Sequence, residues 1–360
     1  MPIYLDYNAT SPLRPQALAK MQQRLAIPAN PSSAHNFGRE AKKQLEDARK
    51  IIAETISVWA NEIIFTASGT EANITALSAF PERRLLLSEI EHSSALSIKH
   101  DEIIKVDANG IINLANLELK LAENQQPALV CVMLANNETG VIQPISEVAE
   151  ICKKHGALLH VDAVQALGKI PVDFSLLSVD MLSISAHKCG GALGAAALVV
   201  KNNLSIKPLL TGGGQELGRR AGTENIAAIA AFAVALEAID FKQMQNLRDW
   251  LDEMEEQMQL AGGIIFGKDV PRLPNTTCVA MPNVGNEVQL IDFDLNGYAV
   301  SAGSACSSGR IEKSHVLLAM GVAPELAACA IRISVGWNTT KDEIEKFTQA
   351  WLKLSARLRK

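Results

Sequence analysis

The sequence predicts an α/β fold, in which a mostly parallel sheet is covered by helices and is accompanied by a smaller α+β domain. Short apolar runs of strand length alternate with helix-like stretches from residue 62 to residue 200. Such alternation is typical of a parallel sheet that is buried on both faces. The chain also has 360 residues, and chains of this length usually divide into more than one domain.

The predicted elements follow one another along the chain. Residues 1–14 show turn residues and little periodicity, which favours an extended arm, and helical spacing of apolar side chains predicts a helix at 39–58. Strands are predicted at 62–67, 84–88, 102–106, 128–135 and 157–162, and in the apolar runs 179–184 and 195–200. Helices are predicted between them at 70–80, 114–123 and 145–155, with a short one after His92.

A long helical stretch at 224–260 is predicted to connect the two domains. We expect residues 15–249 to form the large domain. Residues 1–14 and 250–360 would form the small one, which is mixed in α and β character.

Composition excludes several classes of protein. The net charge of −5 argues against a nucleic-acid surface, and the apolar runs are too short to span a bilayer. The N-terminal residues do not have the pattern of a secretion signal. No CxxC pair occurs, which argues against a zinc site and a disulfide framework. We therefore expect a cytoplasmic protein without a metal, with six scattered cysteines: Cys131, Cys152, Cys189, Cys278, Cys306 and Cys329.

Lys188 occupies the turn between the last two predicted strands of the large domain. The apolar run 179–184 leads towards it and a Gly-rich turn follows it, so the lysine lies where a strand ends. A surface lysine is the ordinary explanation of such a position. In a desolvated site, however, a lysine has a lowered pKa and forms Schiff bases with carbonyl cofactors.

Ser68, Gly69 and Thr70 follow another predicted strand, at the start of a helix. Backbone N–H groups and a hydroxyl at a helix start can bind an anion such as a phosphate. An ordinary Ser/Thr helix cap is the simpler interpretation of this motif alone. Neither a GxGxxG nor a GxxxxGK[ST] sequence is present, so no dinucleotide fold or P-loop is indicated.

Asp162 and His92 also follow predicted strands. A buried aspartate needs a cationic partner, and a protonated pyridine nitrogen is one, although a helix cap is an equal alternative. His92 could stack on a flat ring or transfer a proton, or it could be structural. The segment 136–140 could bind a substrate carboxylate or simply make a turn. With Lys188 and the anion site, this set is what pyridoxal 5′-phosphate requires.

Cys306 lies in segment 300–309, in which nearly every residue is small. Such a segment cannot build a core, so we expect a mobile loop. An exposed cysteine there is a chemical liability unless it has a function. We expect the other cysteines to be structural, with Cys189 ambiguous.

These residues resemble the cysteine desulfurases of the NifS/IscS group, which are pyridoxal-phosphate enzymes of the class V aminotransferase type. The segment Ser304-Ala305-Cys306 is the most specific, since it separates this group from ordinary aminotransferases. The resemblance covers nearly the whole chain in Tyr4-Leu5-Asp6-Tyr7-Asn8-Ala9-Thr10, Asn30-Pro31-Ser32-Ser33, Ser68-Gly69-Thr70-Glu71, Glu91-His92, Asn136-Asn137-Glu138-Thr139-Gly140, His160-Val161-Asp162-Ala163, Ser185-Ala186-His187-Lys188, Gly212-Gly213-Gly214-Gln215-Glu216, Arg220-Ala221-Gly222-Thr223 and Ile331-Arg332-Ile333-Ser334.

The resemblance implies a seven-stranded sheet and a role for each matching residue. Lys188, Cys306 and His92 would be catalytic: the lysine bonds to the cofactor, the cysteine takes the sulfur and the histidine stacks on the ring. The remaining cofactor contacts would come from Gly69, Thr70, Asp162, Gln165, Ser185, His187 and Thr223. Of these, Asp162 would pair with the ring nitrogen, Gln165 would contact the ring hydroxyl, and Thr223 would reach in from the partner subunit of a homodimer. Asn137 and Arg332 would bind the carboxylate of L-cysteine.

The implied reaction converts L-cysteine to L-alanine and leaves a persulfide on Cys306. A sulfur-acceptor protein, such as an iron–sulfur scaffold, would then receive the sulfur for cluster assembly or tRNA thiolation. The chain departs from the family's usual pattern at Cys189-Gly190-Gly191 and at Leu217, which concerns partner choice rather than the cofactor. Two alternatives stay open: a selenocysteine lyase or transaminase on the same fold, and a poorly active sulfur-carrier or scaffold subunit.

Overall fold

The computed structural model describes residues 2–28, 30–303 and 313–358. Its strands are β1 (Ile3–Tyr4), β2 (Ile63–Thr66), β3 (Arg84–Ser88), β4 (Glu102–Ile104), β5 (Ala128–Met133), β6 (Leu158–Asp162), β7 (Met181–Ser185), β8 (Ala196–Val200), β9 (Ile264–Ile265), β10 (Thr276–Ala280), β11 (Tyr298–Ala299), β12 (Ser301–Ala302) and β13 (Ala330–Ser334).

The α-helices are α1 (Pro15–Leu25), α2 (Asn36–Thr55), α3 (Gly69–Ser78), α4 (Ser93–Leu96), α5 (Leu114–Glu123), α6 (Ile145–Lys154), α7 (Phe174–Leu177), α8 (Ile226–Glu237), α9 (Phe241–Leu260), α10 (Asn286–Leu295), α11 (His315–Ala319), α12 (Pro324–Ala327) and α13 (Lys341–Leu358). Short 3₁₀ turns cover Ala60–Glu62, Ala186–Lys188 and Gln215–Gly218. Within the described ranges, no helix has the length and apolar character needed to cross a membrane.

A seven-stranded sheet forms the centre of the molecule, in the order β2-β8-β7-β6-β5-β3-β4. Strands β3 to β7 are parallel, and β8 is antiparallel to both of its neighbours. The strands β2, β3, β5, β7 and β8 are buried along their whole length, because helices cover both faces. The prediction of a mostly parallel seven-stranded α/β sheet is therefore confirmed.

The structure corrects the predicted helices that precede and follow the strands of the large sheet. The predicted helix at 39–58 begins earlier, at Asn36, and α1 was not predicted at all. The single helix predicted at 224–260 is two helices, α8 and α9, separated by residues 238–240. The cause is Asp240, whose side chain accepts hydrogen bonds from the N–H groups of Lys242 and Gln243 and so begins a new helix.

The N-terminal arm is tied to the C-terminal part of the chain. Strand β1 pairs with β11, and Asp6 forms a β-bridge with Ser334. Leu5 is fully buried in a hydrophobic cluster whose other buried members come from residues 244–354. The predicted domain boundary at 249/250 falls inside α9, whose buried side chains Met244 and Leu251 both belong to that cluster. The division into domains stays a prediction.

The cysteines within the described residues are all buried and unbridged: Cys131, Cys152, Cys189, Cys278 and Cys329. Burial raises the pKa of the Cys189 thiol to about 12, and its Sγ lies 3.2 Å from the carbonyl oxygen of Ala186. Cys329 lies between α12 and β13. Burial also raises the pKa of the Cys131, Cys152 and Cys278 thiols. These three thiols and Cys189 are not candidates for nucleophiles, because a raised pKa suppresses the thiolate.

Candidate active site

A cavity of about 210 Å³ lies at the carboxyl ends of β5, β6 and β7 and at the start of α3. Strands of a parallel sheet end at the same edge, so the polar residues that follow them converge there. Most of the predicted site residues line this cavity. The lining is Ser68, Gly69, Thr70, Asn73, His92, Ser94, Met133, Ala135, Asn137, Asp162, Val164, Gln165, Ser185, His187 and Lys188.

One end of the cavity carries hydrogen-bond donors suited to an anion. The side chain of Ser68 caps α3 by accepting from the N–H of Glu71 at 3.1 Å. A Cβ on Gly69 would lie 2.9 Å from Val164 Cγ2, so the glycine lets the helix start approach the opposite wall closely. The Oγ of Ser185 is buried and has no hydrogen-bond partner within the described residues. A buried hydroxyl without a partner indicates a bonding group from outside the chain.

His187 also lines the cavity, with Nδ1 3.3 Å from Thr10 Oγ1. Burial, together with the positive charges of Lys188 and Lys169, lowers the pKa of His187 to about 4. The imidazole is therefore neutral at physiological pH.

Asp162 supplies a buried carboxylate at the end of β6. Its Oδ2 accepts from Asn73 Nδ2 at 2.7 Å, and its Oδ1 accepts from the N–H of Val164 at 2.9 Å. The helix-cap alternative is wrong, because β6 is followed by a turn that Oδ1 closes and the next helix begins only at Phe174. The carboxylate lines the cavity. Asn73 was not identified from the sequence, because a helical asparagine carries no signal of its partner.

His92 caps the short helix α4. Its Nδ1 accepts from the N–H of Ser94 at 3.1 Å, which places the proton of the neutral ring on Nε2. Burial lowers the pKa of His92, Asp162 opposes this effect, and Lys188 and His315 add to it. The neutral imidazole is favoured in the site.

Lys188 ends the 3₁₀ turn after β7, and the N-terminal arm holds its amine. Nζ donates to the carbonyl oxygens of Asn8 at 2.6 Å and Ala9 at 2.9 Å. No local pattern in residues 1–14 indicates that the arm contacts the site. Its contribution becomes visible only when the chain is folded, because residues 8 and 188 are far apart in sequence.

Gln165 has both ends of its amide engaged. Nε2 donates to the carbonyl oxygen of Asn8 at 3.0 Å, and Oε1 accepts from Lys169 Nζ at 2.6 Å. Lys169 was not identified from the sequence. A lysine in a loop is normally solvated, and its spacing of four residues from Gln165 does not reveal that it is buried.

The two residues expected to bind a carboxylate differ in position. Asn137 lines the cavity, whereas Arg332 is not among the described residues that do. Arg332 is fully buried, pairs with Asp6 Oδ1 at 2.7 Å and donates to the carbonyl oxygen of Asn137 at 3.0 Å. Its Nε has no partner within the described part of the chain.

Thr223 and Cys306 complete the predicted set. Thr223 is exposed and is likewise absent from the described lining. Cys306 lies outside the described residues. The residues that flank the undescribed range 304–312 converge on Glu138: Ser314 Oγ donates to its Oε2, and a Cβ on Gly303 would lie 2.1 Å from the same oxygen.

Comparison with known proteins gives consistent matches. The model of the "Aminotransferase class-V" family matches residues 3–347. "Cysteine desulfurase IscS" of Dictyoglomus turgidum is 39% identical, over 95% of this chain and 91% of that protein. The X-ray structure of the NifS-like protein from Rickettsia africae superposes with a TM-score of 0.93 at 36% identity, covering 99% of this chain and 100% of that one. A structure described as "SspA in complex with cysteine" superposes with a TM-score of 0.82 at 30% identity, covering 92% and 98%.

Proposed function

The chain belongs to the class-V aminotransferase family, and we propose that it is a cysteine desulfurase, which uses pyridoxal 5′-phosphate to release sulfur and L-alanine from L-cysteine. The observation that carries the proposal is one cavity that joins Lys188, Asp162 and the unpartnered hydroxyl of Ser185. The relatives named cysteine desulfurase and the structure that contains cysteine support the substrate.

The residues around the cavity fit pyridoxal phosphate. Its phosphate needs several donors, and the start of α3, Ser185 and His187 all line the cavity. Its protonated pyridine nitrogen needs an anionic hydrogen-bond acceptor, and the carboxylate of Asp162 lines the cavity. When bound, the cofactor supplies an electron sink for the bonds at the substrate Cα.

The protein's own groups would then divide the remaining work. Lys188 would hold the cofactor and move the proton at the substrate Cα, from a position fixed by the carbonyl groups of Asn8 and Ala9. His92 would pack against the ring and take part in acid–base steps as a neutral imidazole. Asn137 and Arg332 would bind the substrate carboxylate, which requires Arg332 to exchange its pairing with Asp6.

Cys306 is the proposed sulfur acceptor. Its thiolate would attack the sulfur of the substrate, so that an S–S bond forms while the C–S bond breaks and the carbon fragment leaves as alanine after protonation. The support from the folded chain is indirect. The flanking residues Gly303 and Ser314 approach Glu138, which follows the cavity residue Asn137.

The proposal extends to partners and location. The protein would act in the cytoplasm as a homodimer, in which Thr223 of one subunit completes the phosphate site of the other. The exposure of Thr223 is compatible with such a contact. A sulfur-acceptor protein, such as an iron–sulfur scaffold, would take the persulfide sulfur for cluster assembly or tRNA thiolation.

The deciding experiment measures sulfide and alanine released from L-cysteine by the cofactor-loaded protein in the presence of a reductant. Equal amounts of both over many turnovers are expected. Cys306→Ser should abolish sulfide release. Cys329→Ser is the matched control, because a hydroxyl can keep the bond that this buried thiol donates to the carbonyl of Glu325. A loaded protein that forms no alanine would refute the proposal, and amino transfer that survives Cys306→Ser would indicate a transaminase.

A further inference from the structure

Lys169 is a buried lysine behind the wall of the active-site cavity. It is 5% exposed, and it forms no ion pair with a carboxylate within the described residues. Nζ instead donates to Asn8 Oδ1 at 2.7 Å and to Gln165 Oε1 at 2.6 Å. Burying an amine without a countercharge is costly, so its position requires an explanation beyond packing.

The contact between Lys169 and Gln165 determines which way the glutamine amide faces. A lysine Nζ donates through its N–H groups, and even the neutral amine has enough of them for both bonds. The atom of Gln165 that faces Lys169 is therefore the oxygen. The –NH₂ group must lie at the other end, where one N–H donates to the carbonyl oxygen of Asn8. Because Gln165 lines the cavity, its second N–H is available to a bound group.

We propose that Lys169 is a positioning residue that fixes Gln165 as a hydrogen-bond donor towards the cavity, and so towards an oxygen of the bound cofactor ring. Without Lys169 only the bond to the Asn8 carbonyl would hold the amide, and the glutamine side chain could move its second N–H away from the ring oxygen. The contact between Gln165 and the cofactor ring rests on the proposed function, whereas the orientation of the Gln165 amide does not.

Several titratable groups lie near Lys169 and Gln165. Lys169 faces Lys188, Arg332 and Cys189, and burial followed by the two cations lowers its pKa well below the ordinary value. The cavity side carries the titratable groups Asp162, His92, His187 and Lys188. A test must therefore separate a hydrogen-bond effect through Gln165 from a charge effect through space.

A double-mutant cycle on the loaded protein makes this separation. The variants are Lys169→Met, Gln165→Leu and the double variant, and the readout is the pH midpoint of the cofactor's visible-absorbance change. Each single variant should raise the midpoint by about one pH unit, because a ring oxygen that loses its donor holds a nearby proton more tightly. The double variant should shift no further than Gln165→Leu alone.

The matched control is Lys201→Met, which removes a lysine that pairs with Asp180 away from the cavity. It should leave the midpoint unchanged. If Lys169→Met lowers the thermal midpoint but leaves the absorbance midpoint unchanged, or if it still shifts the latter in the Gln165→Leu background, the positioning role is refuted.

A second cycle uses the cofactor-free protein and does not depend on the proposed function. Gln165→Glu places a carboxylate opposite Lys169, whose amine can pair with it. In the Lys169→Met background the same carboxylate is buried without a partner, so the thermal midpoint should fall by several degrees more than in the wild-type background. Any repulsion from the Asn8 carbonyl occurs in both backgrounds and cancels. Additive thermal midpoints would refute the inference, whereas a protein that gains no visible band on loading would refute the proposed cofactor.

Discussion

The amine of Lys188 donates a hydrogen bond of 2.6 Å to the backbone carbonyl of Asn8. Asn8 also joins the rest of the site, because its carbonyl accepts from Gln165 and its side chain bonds to Asn137, Thr276, Lys169 and Asn275. The N-terminal arm therefore connects Lys188, the proposed catalytic residue, with Gln165 in the segment after β6 and with Thr276 in β10. This arrangement makes Asn8 a structural requirement of the site.

Asn8→Ala should destabilise the protein by about 2–4 kcal/mol, because several buried groups lose their partners and each costs about 1–3 kcal/mol. Urea unfolding measures the change. The exposed Asn202 serves as the control, and Asn202→Ala should have little effect. Equal stability of the two variants would show that the arm does not hold the site.

Asp162→Asn should lower kcat/KM by about 100-fold or more, because the loaded site loses its negative charge at the end of β6. The fold should be retained, since an asparagine oxygen can still accept from Val164 or from Asn73. Kinetics and far-UV circular dichroism together check the prediction. Activity within a few-fold of wild type would show that the charge of Asp162 is not required for catalysis.

Ser185→Ala should leave the stability of the cofactor-free protein unchanged or slightly increased. The hydroxyl is buried without a partner in the described residues, so its removal also removes a desolvated polar group. The same variant should bind pyridoxal phosphate about 10–100-fold more weakly, because a hydrogen bond to a charged group is lost. Calorimetric titration measures the affinity for pyridoxal phosphate, and thermal unfolding measures the stability of the cofactor-free protein. A loss of stability without a loss of affinity would contradict both predictions.

His160 should contribute to acid destabilisation. Burial lowers its pKa to about 4, while in the unfolded chain the pKa is about 6.5. The unfolded state therefore binds more protons between these values, and stability falls as the pH drops from about 6.5 towards 4. His160→Gln should lose less stability than wild type across this window, measured by urea unfolding at both ends. Equal losses of stability in the variant and the wild type across this window would contradict the prediction.

Gly303→Ala should destabilise the protein by about 1–3 kcal/mol, because its Cβ would lie 2.1 Å from Glu138 Oε2, which Ser314 also holds. Gly214→Ala is the matched control, since a Cβ there meets nothing within 4 Å. Adding Glu138→Ala should remove the steric part of the cost. An unchanged melting temperature for Gly303→Ala would show that the flanks of the range 304–312 are not held by Glu138.

Much of the fold could be predicted from the sequence, because apolar runs separated by turn residues identify the strands of a buried parallel sheet. The strand containing Asp162 and the turn containing Lys188 were found in this way. The break between α8 and α9 was missed, because helical propensity continues across Asp240 and only its capping bonds show the end. The helix α1 was missed because its apolar pattern is weak: of residues Pro15–Leu25, only Ala17 is buried.

The sequence by itself determined the family, the alternation of strands and helices between residues 62 and 200, and the residues that lie at strand ends, since these depend on local pattern and on matching motifs. The tertiary structure decided how those residues meet. Asn8 and Lys188, or Asn73 and Asp162, are distant in sequence, and their hydrogen bonds exist only because the sheet edge and the arm bring them together. Burial is likewise a property of the fold. The sequence alone does not distinguish Lys169 from an ordinary surface lysine, whereas the structure shows that its amine donates to Asn8 and Gln165.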